Sequence, residues 1–219
     1  DDTLQLLQQA DCKLVAAVQQ GAAWGQEAAP RAALWGAALA SPCDWLLWLD
    51  ADMVPAGDPR ELQARDVDAI AYRLYDLWDW RQLVYRADAN WQAHNNLRIW
   101  MIRNPRVGEW QWLQRGIHCG HMPINYQPHR VLVAPHAYSI LHYGYAEASD
   151  REAKAAQYAA QEHQLAPSEI LHARSIADDT YITFPLPFKP LWQLEHQRAS
   201  SSAAACVKSK SSLTPTTTT

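Results

Sequence analysis

Five apolar residues in unbroken succession, Trp45-Leu46-Leu47-Trp48-Leu49, run directly into Asp50-Ala51-Asp52. The run has the length of a strand, is short for a helix, and follows a turn containing Pro42, so it is predicted to be a buried central strand. Two carboxylates at alternate positions then emerge where that strand ends. Ligands of open α/β sheets bind beyond the carboxyl ends of strands, and hard oxygen donors suit Mg²⁺ or Mn²⁺. The same aspartates could instead cap a following helix or close a turn. A second Asp-x-Asp, Asp66-Val67-Asp68, lacks an apolar run before it and reads as a solvated turn.

The neighbouring segments are consistent with an α/β class. A helix is predicted over 4–10, a strand over 13–18, and a helix over 27–40 with Pro30 in its first turn. Helix then strand, repeated, is the pattern of a largely parallel sheet. Further along, a short helix is expected over 55–65, strands over 69–75, Leu97–Arg103 and Val131–Val133, and a helix over 149–164. Ser149 is a candidate N-cap for the last of these, with Glu152 placed for a capping box and Pro167 beyond its end. From Ser200 onward serine and threonine dominate without apolar periodicity, which predicts disorder.

A chain of 219 residues, 48% hydrophobic, can bury one sizeable core. Its formal charge of -4 is dispersed, so neither a nucleic-acid footprint nor a polybasic membrane patch is indicated, and a small-molecule partner is expected. Cys12, Cys43, Cys119 and Cys206 show no CxxC spacing, which argues against a zinc ribbon or disulfide framework and for a reducing compartment. No apolar stretch approaches the roughly 20 residues of a membrane span. A cytoplasmic protein, at most peripheral to a membrane, is the expectation. Eleven tryptophans against two phenylalanines are unusual. Tryptophan is most often a core residue, but it is also a stacking platform for sugar rings.

Trp45 to Asp52 resembles the strand and DxD motif of family 2 GT-A glycosyltransferases. Asp1-Asp2-Thr3-Leu4 resembles the end of that family's early motif. Leu141-His142-Tyr143-Gly144-Tyr145, with Arg151, Lys154 and Tyr158 beyond, resembles the C-terminal segment of a bacterial and phage subset, as do Gly116-Ile117-His118-Cys119-Gly120 and Pro123. The likeness runs from Asp1 to about Ala173. It implies a GT-A, nucleotide-diphospho-sugar transferase fold over residues 1–198, with a mostly parallel sheet flanked by helices, and a disordered tail over 199–219. The strand, loop and helix with which that family begins would precede Asp1. The implied activity is metal-dependent, inverting transfer of a hexosyl-type sugar from a nucleotide-sugar, UDP-sugar foremost, to a hydroxyl of a carbohydrate, lipid or protein.

The resemblance also implies roles. Asp52 and Asp50 would hold Mn²⁺ or Mg²⁺ across the diphosphate, with Asp50 also reaching the ribose and His142 as third metal ligand. Arg151 and Lys154 share a helix face and would turn toward the diphosphate. Trp91 would contact substrate. Inverting transfer needs a base for the acceptor hydroxyl. Asp88 is the first candidate, because Tyr85-Arg86-Ala87-Asp88 and Trp91 resemble the subset's pattern; Glu109 is the second, and His118 would serve the acceptor side. A metal pair of His118 and His121 is disfavoured by the flanking Gly116, Gly120 and Pro123. A Cys119 nucleophile lacks an oxyanion device. Two rivals stand beside the transferase: an inactive sugar- or nucleotide-binding relative, and a metal-dependent hydrolase needing more than three protein ligands.

Overall fold

A computed structural model describes residues 27–63, 66–115 and 118–193. The helix expected over 4–10, the strand over 13–18 and the tail from Ser200 lie outside the described residues. In chain order the elements are α1 (Ala28–Leu39), β1 (Trp45–Leu47), β2 (Met53–Pro55), β3 (Ala69–Asp79), β4 (Val84–Arg86), β5 (Leu97–Arg103), β6 (Val131–Val133), β7 (Ile140–His142), α2 (Ala148–Ala160), α3 (Pro167–Ser175) and β8 (Thr183–Pro185).

All residues of β3 except Arg73 and Asp79 are buried. A strand that shows no inside-outside alternation is covered on both faces, and β3 organises the sheet accordingly. Its first half pairs with β5 antiparallel and β6 parallel; further on it pairs with β7 parallel and β4 antiparallel. β1 extends from β5, β2 from β7 and β8 from β4. The class is α/β with a mixed sheet, which corrects the expectation of a mostly parallel one: five of these seven ladders are antiparallel. The reason is local at β3–β4. The connection between them is too short for a parallel crossover, and Asp79 closes it as a hairpin by accepting the N–H groups of Arg81 (2.8 Å) and Gln82 (3.0 Å).

The apolar run at 45–49, expected as a buried central strand, is instead a half-buried three-residue strand at the end of the sheet order, paired antiparallel with β5 alone. The helix expected over 55–65 shrinks to a 3-10 turn, Pro59–Leu62, capped by Asp58. α2 has no side-chain cap, and Ser149 lies inside it. The acidic return bond occurs instead at α3, where the Glu169 carboxylate accepts the Ala166 N–H at 2.7 Å and Pro167 opens the helix. The strands over Leu97–Arg103 and Val131–Val133 coincide with expectation.

α1 packs through Trp35, 2% exposed, onto Ala69, Ile102 and Trp112. Its indole meets Trp110 and Trp112 edge-on, with centroids 5.5 and 6.1 Å apart. Trp35→Ala would remove the only buried residue of α1 and cost about 3–5 kcal/mol. At the other end of β3, Trp78 joins Trp91, Tyr145, Tyr158, Leu165, Ala173 and Ile176, which fixes α2 and α3 to the sheet. No described helix is long and apolar enough to cross a membrane.

Candidate functional site

Strand register assembles the site. His142 ends β7 and lies opposite Met53 of β2 on one side and Asp76 of β3 on the other. Just before Met53, the Asp50 carbonyl accepts the Met53 N–H at 3.0 Å, so Asp50 to Met53 form a tight turn. The Tyr143 N–H then donates to the Asp52 carbonyl at 2.7 Å. In this way Asp52 is brought beside His142 although 90 residues separate them.

His142 uses both ring nitrogens. Nδ1 is 2.7 Å from Asp76 Oδ1, and Nε2 is 3.1 Å from Asp52 Oδ2. Lys154, reaching down from α2, donates to the same Asp52 oxygen at 3.1 Å and stands 3.5 Å from His142 Nε2. Beneath them lies Tyr145. Its ring is edge-on to His142, with centroids 5.0 Å apart, and carries the Lys154 ammonium 4.4 Å from its centre. Trp91 packs edge-on against Tyr145, and the Tyr145 hydroxyl is hydrogen-bonded to Tyr158. The floor of the site is therefore rigid aromatic core.

Burial works against a charged His142, but hydrogen bonds to Asp52 and Asp76 and their charges outweigh it and lift its pKa to about 9. Burial would also raise Asp52, yet the hydrogen bond and charge of His142, then Lys154, hold its carboxyl well below the usual range. At neutral pH His142 is therefore protonated and Asp52 ionised, so a metal ion bound through Nε2 must displace the imidazole proton.

Gly144 gives the site its room. A Cβ there would overlap Lys154 Nζ and Asp52 Oδ2 and come within 2.7 Å of His142 Nε2. Its backbone is not among those with positive φ, so the missing side chain answers to space rather than to conformation.

The other expected site residues go elsewhere. Asp50 pairs with Arg31 (3.2 Å), so the two carboxylates of the turn have different partners. Arg151 donates to the carbonyls of Trp78 (3.0 Å) and Tyr145 (2.7 Å), a clamp on backbone rather than a group turned to a diphosphate. Trp91 is 1% exposed and its indole N–H donates to Ser175 Oγ, so it is core and not a sugar platform. Asp88 is bound to Arg86 at 2.5 Å, and Arg86 is buried between Trp78 and Trp91. A buried guanidinium needs that counter-charge, so in this structure Asp88 answers to Arg86. Glu109 is exposed, and its carbonyl accepts the Asn125 amide at 2.7 Å. His118 stacks on Tyr158, centroids 5.6 Å apart, and His121 on Trp100 at 4.1 Å, so they form no metal pair. His121, with its pKa lowered by burial to about 4, is neutral and donates to the Ile99 carbonyl. Burial pushes the Cys119 thiol up, the opposite of what a nucleophile requires. Asp68 accepts the N–H groups of His129 and Arg130, in keeping with a turn.

Among the described residues no three His, Cys, Asp or Glu side chains are grouped to hold a metal ion. The pair that remains nevertheless fits a divalent cation completed by ligand oxygens. Two ligands at right angles, each roughly 2.1 Å from an ion, lie about 3 Å apart, the spacing of Asp52 Oδ2 and His142 Nε2. Asp76 supplies the carboxylate that ligating histidines commonly have on their second nitrogen. Sequence reasoning missed Asp76 and Tyr145. A lone acid between Tyr75 and Leu77 within an apolar stretch was the available sign of a buried partner. No protein-family model, curated protein or solved structure matches the chain.

Proposed function

We propose that the chain is a metal-dependent glycosyltransferase of hexosyl type, moving sugar from a nucleotide-sugar, UDP-sugar foremost, to an acceptor hydroxyl with inversion. One observation carries this. The two segments that resemble family 2 GT-A enzymes, the Asp-Ala-Asp turn and His-Tyr-Gly-Tyr, meet at one point, with Asp52 and His142 3.1 Å apart around the space left by Gly144. Bound Mn²⁺ or Mg²⁺ would supply charge that stabilises a departing diphosphate. Asp52 and His142 would hold that ion once the imidazole has given up its Nε2 proton, with Asp76 fixing the ring through Nδ1, and Lys154 would add a cation for phosphate oxygens. Asp50 and Arg31 flank the same turn.

The test is nucleotide release. With Mn²⁺, the wild-type chain should slowly liberate free nucleoside diphosphate from a UDP-, GDP- or dTDP-sugar, and Asp52→Ala should not. Asp52→Ala should also lose Mn²⁺-induced stabilisation, read as the shift from its own metal-free melting temperature. An inactive binding relative is the second reading, favoured because Asp88 is committed to Arg86. It is upheld if nucleotide-sugars bind and no diphosphate appears. A hydrolase would require more than three protein ligands, and among the described residues not even three are so grouped.

A further inference from the structure

The cation seat of the proposed transferase holds a cation belonging to the chain itself. Lys154 Nζ lies 3.1 Å from Asp52 Oδ2, 3.5 Å from His142 Nε2 and 4.4 Å from the Tyr145 ring centre. It therefore stands against both groups that would ligate a metal, in the hollow that a Cβ on Gly144 would fill. An ammonium and a divalent ion cannot share one carboxylate oxygen at such distances without strong repulsion. Lysine is a compact charge on a flexible four-carbon stem, so it can leave without disturbing its helix.

We infer that Lys154 is a tethered occupant of the metal seat: it neutralises Asp52 when no divalent ion is present, and is displaced from α2's inner face toward the bound phosphates when one enters. This rests on the Asp52–His142 cation site proposed above. Two consequences of opposite sign follow. Metal binding must break the Lys154 contacts with Asp52 and Tyr145, so Lys154 weakens metal affinity, by about tenfold if its ion pair and cation–π contact have ordinary strengths. Nucleotide binding gains a cation, so Lys154 strengthens it. A lysine that merely supports the fold would move both affinities the same way.

The experiment is calorimetric titration with Mn²⁺ alone, then with UDP at saturating Mn²⁺, on wild type and Lys154→Met, which keeps length and drops charge. Lys154→Gln serves in its place if the methionine variant melts lower than wild type. Expected are Mn²⁺ affinity about tenfold tighter and UDP affinity weaker in the variant. Equal or weaker Mn²⁺ binding by the variant overturns the competition while leaving the metal site standing. Tighter Mn²⁺ with unchanged UDP affinity overturns the displacement toward phosphate. No Mn²⁺ binding by either protein overturns the cation site, and the role of Lys154 with it.

Discussion

Asp76 and His142 lie side by side on adjacent parallel strands, 2.7 Å apart from Oδ1 to Nδ1, and neither is more than 9% exposed. The carboxylate fixes which way the imidazole points, and so where Nε2 is delivered. Asp76→Ala leaves a buried charged ring without its partner and is expected to destabilise the fold by about 3–5 kcal/mol in urea unfolding. Asp76→Asn should cost less and lower the His142 pKa, which proton NMR titration reads directly.

The pH dependence follows from two shifts of opposite sign. His142 is raised from 6.5 to about 9, so its contribution is complete below pH 6.5 and lost as pH rises through 9. Asp52 is lowered from 3.8, so its contribution is present above that value and lost on acidification below it. The cluster should therefore stabilise most between roughly pH 4 and 6.5. Denaturant midpoints should fall by the equivalent of about 1–3 kcal/mol between pH 6.5 and 9.5. His142→Gln should flatten that alkaline limb; an unchanged limb would assign it elsewhere.

Arg86 and Asp88 make a structural pair, with Arg86 also donating to the Ser175 carbonyl at 2.7 Å. Asp88→Ala is expected to cost about 3 kcal/mol in unfolding free energy by stranding a buried guanidinium. If it instead abolished nucleotide release at unchanged stability, Asp88 would return as the base.

Gly144→Ala should place a methyl group among Asp52, His142 and Lys154. Lys154 can withdraw, so the fold should lose only about 1–2 kcal/mol. Mn²⁺ should no longer raise the melting temperature. A retained metal response would mean that the hollow is not the seat.

That the apolar run forms a strand leading into the acidic turn was legible because apolar residues give way abruptly to acidic ones there, though its half-buried place at the end of the sheet was not, and Leu97–Arg103 was legible because it is a plain strand. Strand direction was not legible, since antiparallel pairing of β1 with β5 depends on partners 50 or more residues away. Asp76 was hidden for a related reason. An aspartate ordinarily ends a strand, so β3 was expected to stop at Tyr75, whereas β7 supplies a cross-strand imidazole that lets it continue to Asp79. The divergence of Asp50 and Asp52 is set by the turn that joins them, and Trp91 carries nothing in its local sequence that separates core from platform.

β3 meets β5 through a register shift between Ile70 and Ala71, then meets β7 in regular step from Leu74 to Asp76. Side chains alternate along a strand, so a slip of one residue would exchange Asp76 for Leu77 or Tyr75 beside His142. The imidazole would then lose its carboxylate and titrate near an ordinary histidine. A single proton resonance from His142 thus proofreads the topology, since misaligned molecules would announce themselves in it before any activity was measured.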